Sequence, residues 1–247
     1  MPTQAPARPR PTVGRGGRVA ADVRRQVASG GVRFWAVTDF DDHDPHTVDK
    51  ALQRMKASGQ LRAVRRGLYY RGHMTGFGIS RPSPDDIVAA VAGTRGVGPA
   101  GLTAANELGL TTQMPGTDVY AVPRPAPRDL PSIRFVARPS RTARADAALR
   151  PIEVAVLEVL DAWDAITDTT PDQTETRLVD VLNSGAVRLA HLTRGATDEP
   201  PAARERLRHL LDRAGHGDLV AAVPPARSDV ARRKALTGLP RLLGAAQ

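Results

Sequence analysis

The sequence predicts an α+β fold in two domains, and three observations lead to this prediction. The 247-residue chain is long enough to bury two compact cores. Its net charge of +9 is concentrated in residues 1–72, which hold 14 Lys and Arg against 6 Asp and no Glu. A glycine-containing connector near residue 80 then separates this basic region from a nearly neutral, mostly helical remainder. The predicted segments are a disordered basic tail (1–17), a first domain (18–80) and a second domain (81–247), itself divided into a mixed α/β part with a small sheet (81–148) and a helical part (149–247).

Composition excludes several classes of protein. The chain has no cysteine, which rules out disulfides, thiolate zinc sites and cysteine nucleophiles. No stretch approaches the roughly 20 apolar residues of a membrane span, and the N-terminus lacks an apolar signal region. We therefore expect a soluble, cytoplasmic protein that makes no membrane contact.

The N-terminal tail is rich in Pro, Arg and Gly and has almost nothing to bury, which favours disorder. Its arginines either enter a minor groove, as some N-terminal arms do, or form a plain leader. The following segment, 18–29, places Val19, Val23 and Val27 on one stripe and ends at two glycines. This pattern predicts the first helix.

A short apolar anchor at Phe34 and Trp35 precedes a brief second helix, for which Thr38 is the expected cap. Several acids follow in the turn 41–44, close to His43 and His46. These side chains have no recognised metal-ligand spacing, and N-capping together with solvation explains them more simply. We therefore predict no metal site.

The segment 44–70 is the centre of the first domain. Asp44 is placed to cap a helix, Pro45 suits its first position, and Gly59 is the expected left-handed stop, so that the helix spans about 45–58. Apolar residues recur at i, i+3, i+4 and i+7 and should face the core. These residues are Val48, Ala51, Leu52 and Met55.

The opposite side of this helix is basic and polar, and a basic hairpin follows it. Strands at 61–64 and 68–70 flank Arg65, Arg66 and Gly67, where a glycine with positive φ suits a hairpin tip. A helix, a stop and a basic hairpin in this order predict the recognition helix and wing of a winged helix-turn-helix, which binds DNA. The alternative is a solvated helix followed by an ordinary surface hairpin.

The second domain should begin after a connector at 71–80. We predict helices at 84–94 and 99–110, strands at 118–122 and 132–137 paired as a hairpin across a proline-rich loop, and helices starting at Pro151, Pro171 and Pro201. The helix after Pro151 is apolar on more than one side and should be buried. Five arginines near the strands either bind nucleic acid or an acidic protein, or form a solvated surface: Arg134, Arg138, Arg141, Arg144 and Arg150.

Motifs of catalysis are absent from the sequence. It contains no phosphate-binding glycine loop, no G-x-S-x-G elbow, and no glycine-serine turn followed by D-x-D. His191, His209 and His216 lie in separate segments without a second ligand at metal spacing. We therefore predict no enzyme, no catalytic residue and no cofactor.

Three blocks of sequence resemble the AbiEi-type antitoxins of bacterial type IV toxin-antitoxin systems. They are ALQRMKASGQLRAVRRGLYY at 51–70, SRPSPDDIVAA at 80–90 and GPAGLTAANELGLTTQMPG at 98–116, preceded by DF at 39–40. The resemblance covers about the first 137 residues and implies a winged helix-turn-helix followed by an antitoxin domain. The last 110 residues match no motif of the family.

The resemblance implies two activities. The winged domain would bind double-stranded DNA at an inverted repeat and repress its own operon. The remainder would counteract a nucleotidyltransferase toxin encoded alongside, directly or functionally. The positions that the resemblance assigns to DNA contact are His46, Thr47, Lys50, Gln53 and Arg54 on the helix, and Arg65, Arg66 and Arg71 at the wing.

Two other functions remain open at this point. One is a ligand-responsive winged-helix transcription regulator that has no toxin partner. The other is an enzyme that acts on the toxin or on its substrate. A nucleotidyltransferase in the neighbouring reading frame would favour the antitoxin over both.

Overall fold

The computed structural model describes residues 15–237, so most of the predicted tail (1–14) and residues 238–247 lie outside the described residues. The fold is mixed α+β. The chain divides into two compact units, residues 1–83 and 84–247, each with its own buried apolar cluster. No helix between residues 15 and 237 combines the length and the apolar composition that crossing a membrane requires.

Two helices form the core of unit 1. Helix α1 (Arg15–Ser29) begins three residues before its predicted start, so residues 15–17 of the predicted tail are helical. Helix α2 (Pro45–Ala57) ends within one residue of its predicted bounds. Val23 and Val27 of α1 belong to the same buried cluster as Val48 and Leu52 of α2. The predicted apolar stripes of both helices are therefore confirmed.

A three-stranded antiparallel sheet completes this core. Its strands are β1 (Arg33–Ala36), β2 (Arg62–Arg65) and β3 (Leu68–Arg71), in the order β1-β3-β2. The predicted apolar anchor is thus a strand, in which Trp35 lies opposite Tyr69.

The helix predicted after Thr38 is a single 3₁₀ turn, Val37–Asp39, and Thr38 lies inside it rather than capping it. The Asp39 carboxylate accepts a hydrogen bond from the Ala36 N–H at 2.7 Å, which closes the turn. Phe40 then stacks on Trp35 with 5.6 Å between the ring centroids. This contact draws the chain back to the sheet after one turn.

The predicted connector at 71–80 contains a small hairpin. Its strands are β4 (Met74–Thr75) and β5 (Gly78–Ile79), which pair antiparallel. The Thr75 hydroxyl donates to the Gly78 carbonyl at 2.7 Å and so closes the turn. Two-residue strands are too short to show an alternating pattern in sequence, which explains why the hairpin was not predicted.

Unit 2 contains a second three-stranded sheet of strands β6 (Gly98–Pro99), β7 (Asp118–Val122) and β8 (Ile133–Ala137). The prediction that β7 and β8 form a hairpin is wrong, because they pair in parallel. Reciprocal hydrogen bonds between Leu130 and Ile133, at 2.8 and 3.2 Å, reverse the chain immediately before β8. The loop between the strands has therefore already travelled back along the sheet.

The helix predicted from Pro99 begins later. Gly98 and Pro99 pair with β7, and the Ala100 N–H donates to the Val119 carbonyl at 2.8 Å. This pairing holds the backbone extended up to Ala100, so helix α4 starts at Gly101. Before it lies α3 (Pro84–Ala92), and α4 spans Gly101–Glu107.

The helical part of unit 2 packs around α6 (Pro151–Asp161), which is buried on all sides from Glu153 to Leu160, as predicted. Helix α10 (Pro201–Arg213) and α4 pack against it. The remaining helices are α5 (Ala143–Asp146), α7 (Trp163–Ile166), α8 (Pro171–Asn183), α9 (Leu189–Gly195), α11 (Gly217–Val220) and α12 (Asp229–Ala235).

Three of the five arginines assigned to a binding or solvated surface instead form a buried ion-pair network. Arg144 is fully buried and donates to Glu199 at 2.6 and 2.9 Å and to Glu158 at 2.8 Å. Arg138 and Arg141 also donate to Glu158. These three guanidinium groups are engaged with carboxylates inside the protein, so the surface prediction is wrong for them. Arg134 and Arg150 are exposed.

Candidate nucleic-acid interface

The first turn of α2 is held by its cap. The Asp44 carboxylate accepts hydrogen bonds from the Thr47 N–H at 2.8 Å and the Thr47 hydroxyl at 2.7 Å. These bonds hold the pKa of Asp44 below its usual value. The Thr47 hydroxyl has thereby used its single proton, so towards a ligand it can act only as an acceptor.

Burial of one side of α2 fixes which residues it presents outward. Val48, Ala51, Leu52 and Met55 are at most 3% exposed, so the helix cannot rotate without uncovering them. Four of the predicted DNA-contacting residues lie exposed on the other side: His46, Lys50, Gln53 and Arg54. The prediction of this outward side from helical periodicity is confirmed.

The turn between β2 and β3 lies beside the C-terminal half of α2. Arg65 and Arg66 are exposed there, and Gly67 has a φ of +75°, as predicted for the hairpin tip. A groove of about 420 Å³ separates the turn from the helix. It is lined by Gln53, Lys56, Ala57, Ala63, Arg65, Arg66 and Tyr69. The structure thus brings Gln53, Arg65 and Arg66 to one concave surface, to which Lys56 also contributes.

Arg71 is the predicted residue that does not join this groove. It ends β3, pairs with Arg33 of β1, and donates to the Gly31 carbonyl at 3.2 Å. A strand rises about 3.3 Å per residue, so Arg71 lies about 10 Å along β3 from Leu68, which follows the turn. Its assignment to the wing is therefore wrong in position.

A carboxylate missed by the sequence analysis orients Gln53. Asp49 lies one helical turn before Gln53 and accepts a hydrogen bond from its side-chain amide at 2.7 Å. The Tyr69 hydroxyl donates to the same carboxylate at 3.4 Å. Burial, and then the negative charge of Asp49, raise the pKa of Tyr69. Gln53 keeps its amide oxygen and second N–H for a partner, while one N–H fixes the side chain in place.

The charge of this surface is uniform over a long stretch of sequence. Residues 50–84 contain no Asp or Glu. They contain eight basic residues: Lys50, Arg54, Lys56, Arg62, Arg65, Arg66, Arg71 and Arg81. A polyanion is the partner that such a surface favours.

Elsewhere, the titratable side chains have structural partners. Glu175 is buried and accepts hydrogen bonds from Arg213 at 2.6 Å and lies 3.3 Å from His209. Between residues 15 and 237, no three His, Asp or Glu side chains converge in an arrangement that would hold a metal ion. The groove of unit 1 therefore offers the clearest binding chemistry in this part of the chain.

Comparison with known proteins gives two matches. Residues 21–134, from α1 to β8, match the model of a family of unknown function, DUF6088. In overall structure the chain is similar to the crystal structure of the RV2827C protein from Mycobacterium tuberculosis, with a TM-score of 0.48 and 17% sequence identity. That alignment covers 85% of this chain and 83% of the other. No curated protein matches the chain.

Proposed function

We propose that the chain is a sequence-specific repressor that binds double-stranded DNA through unit 1, which acts as a winged helix-turn-helix. The observation that carries the proposal is the groove in which α2 and the β2–β3 turn place Gln53, Arg65 and Arg66 on one concave, basic surface. Helix α2 acts as the recognition helix and the β2–β3 turn acts as the wing.

In this proposal α2 enters a major groove, which is wide enough to admit a helix. Lys50, Gln53 and Arg54 read the edges of bases, while Arg65 and Arg66 hold phosphates of the backbone. Gln53 is suited to an adenine, because its free amide oxygen and N–H match the donor and acceptor that adenine presents. The Asp44 cap and the Asp49 contact fix this surface before DNA arrives, which reduces the entropy lost on binding.

We also propose that the chain is a type IV antitoxin that counteracts a nucleotidyltransferase encoded beside it. The support is the sequence resemblance of residues 51–70, 80–90 and 98–116 to AbiEi-type antitoxins. The third block contains a firmly held loop. Asp168 accepts hydrogen bonds from the Thr111 hydroxyl at 2.5 Å and the Gln113 amide at 2.8 Å, while the adjacent Met114 is 82% exposed.

DNA binding is tested with the full chain and fluorescently labelled duplexes, using anisotropy. One duplex carries the region upstream of the protein's own gene and the other is a scrambled sequence of the same composition. A specific repressor should bind its own region at least about a thousandfold more tightly at physiological salt. Equal affinity for both duplexes would contradict sequence-specific repression.

Replacing Gln53 by Ala is expected to weaken binding to the upstream duplex about ten- to a hundredfold, because a bidentate base contact contributes about 1–3 kcal/mol of discrimination. Binding to scrambled DNA should change little. Gln26→Ala is the matched control, since Gln26 is an exposed glutamine on α1. Equal losses on both duplexes would argue against base readout by Gln53.

The antitoxin proposal is tested by growth after induction of the neighbouring gene. The full chain and its Arg65→Ala, Arg66→Ala double variant are supplied in trans from an unrelated promoter, so that repression of the operon plays no part. Both should relieve toxicity if neutralisation is separate from DNA binding. If the full chain relieves none while it still binds DNA, a winged-helix regulator without a toxin becomes the better account.

A further inference from the structure

The β4–β5 hairpin presents an apolar side chain to solvent. Phe77 at its tip is fully exposed, and Met74 in β4 is 71% exposed. Each other large apolar side chain exposed within residues 15–237 lies at a separate place in the sequence: Val32, Met114 and Val230. Two such side chains on a six-residue hairpin are unusual for a surface that meets only water.

The hairpin tip is ordered by its own hydrogen bonds. The Phe77 N–H donates to the Thr75 hydroxyl oxygen at 3.2 Å, and that hydroxyl donates to the Gly78 carbonyl at 2.7 Å. At the base, the Ser80 N–H donates to the His73 carbonyl at 2.9 Å. The backbone that carries the Phe77 ring is therefore preorganised, which lowers the entropy cost of using it for binding.

The hairpin adjoins the proposed DNA-binding groove. Arg62 of β2 donates to the Ile79 carbonyl of β5 at 3.3 Å. A second groove of about 430 Å³ lies between the hairpin, β2 and the end of α2, lined by Lys56, Gly59, Leu61, Arg62, Ala63, Gly78 and Ile79. It shares Lys56 and Ala63 with the first groove, so a continuous surface runs from the β2–β3 turn to the base of the hairpin.

Charge identifies the occupant of this surface. The sequence from Lys50 to Pro84, which includes both grooves and the hairpin, has eight basic residues and no acidic one. A second copy of the chain would bring the same positive charge to the contact and would be repelled. A nucleic acid duplex is complementary both to this charge and to an aromatic ring, because its backbone is anionic and its bases stack.

We propose that the hairpin is a second DNA-contacting element and that Phe77 is an apolar wedge. It enters the minor groove next to the major groove that α2 occupies, separates two stacked base pairs and bends the duplex. Minor-groove proteins use Phe, Leu and Met in this way and kink DNA by about 20–90°. Lys56 and Arg62 then neutralise phosphates between the two contacts. The inference rests on the proposed DNA binding of unit 1.

The test uses the full chain and the upstream duplex labelled with a donor and an acceptor dye at its two ends. The wild-type protein should raise energy transfer between the ends, because the duplex bends. Phe77→Ala should abolish this rise and weaken binding about tenfold, the size expected when one stacking contact is lost. The dependence of binding on salt should be unchanged, since no phosphate contact is removed.

Two further variants sharpen the result. Phe77→Leu keeps an apolar wedge and should retain both bending and affinity. Met114→Ala removes another exposed apolar side chain, in unit 2, and should change neither. Because Phe77 is fully exposed, its replacement should leave the thermal unfolding of the protein unaltered, which checks that the variant is folded.

The outcomes separate this inference from the function on which it rests. Wild-type binding with unchanged affinity and bending in Phe77→Ala would overturn the wedge and leave the repressor proposal standing. Loss of self-association in sedimentation, with DNA binding intact, would also overturn it and make the tip a contact between copies. Failure of the wild-type chain to bind the duplex would remove the proposed function itself.

Discussion

Replacing Arg144 by Ala is expected to destabilise unit 2 by about 3–5 kcal/mol, the cost of leaving buried charges without their partner. Arg144 is 0% exposed. It makes two hydrogen bonds to Glu199 and one to Glu158, all shorter than 3.0 Å. After the replacement Glu199 retains only its 3.3 Å contact with Arg141. This loss is a large fraction of the total stability of most domains.

The measurement is guanidinium unfolding at pH 7 followed by tryptophan fluorescence. The chain has two tryptophans: Trp35 in unit 1 and Trp163, which is buried in unit 2. A Trp35→Phe background therefore makes Trp163 the reporter of unit 2 alone. Arg232→Ala is the matched control, because Arg232 forms an exposed pair with Asp229 and should contribute less than about 1 kcal/mol. Equal effects of the two replacements would contradict the predicted contribution of the network.

The same network predicts how the effect depends on pH. Burial by itself would raise the pKa of Glu158, but Arg144, Arg138 and Arg141 outweigh it and hold the pKa below the ordinary value of 4.5. A carboxylate with a lowered pKa in the folded state stabilises the protein above its unfolded pKa, and this stabilisation disappears as the pH falls through the folded pKa. The gap between wild type and Arg144→Ala should therefore be widest near neutrality and narrow below about pH 4.5.

The elements predicted correctly from sequence are those whose signals are local. The bounds of α2 follow from a cap, a proline and a glycine within fifteen residues, and its buried stripe follows from helical periodicity. Strand β1 was missed, because RFWA does not alternate and its partner β3 lies more than 30 residues away in sequence. Pairing over such a distance depends on tertiary packing, which a short sequence window does not contain.

The arginines of unit 2 show the same limit for charge. In sequence Arg138, Arg141 and Arg144 resemble a basic surface, since arginine is usually exposed. Their partners Glu158 and Glu199 lie on or beside helices that come between 14 and 55 residues later in the chain. Only the fold brings these groups together, so burial of the arginines was not predictable from spacing.

The candidate interface divides along the same line. Periodicity was enough to place His46, Lys50 and Gln53 on the outward side of α2. It did not reveal that Asp49 fixes the Gln53 amide, although the i,i+4 spacing of these two residues was a signal that would have suggested it. The misplacement of Arg71 came from counting the residues of β3 without considering that a strand carries its two ends apart.

Replacing Arg65 and Arg66 together by Ala is expected to weaken binding to the upstream and scrambled duplexes alike. Both guanidinium groups are exposed at the turn that flanks the α2 groove, and a contact to phosphate carries no sequence information. Each lost phosphate contact should reduce the slope of log K against log salt by about one, so the double variant should lose about two.

The matched control is the double replacement of Arg24 and Arg25 by Ala, which removes the same charge from exposed positions on α1. If total charge alone drives binding, both variants should lose the same affinity and the same salt dependence, and the proposed wing would have no special part. If the turn contacts phosphates, the salt slope should fall for Arg65 and Arg66 and stay nearly unchanged for the control. Anisotropy titrations of both variants at several salt concentrations distinguish these results, because counterion release reports the number of phosphates contacted rather than the net charge of the protein.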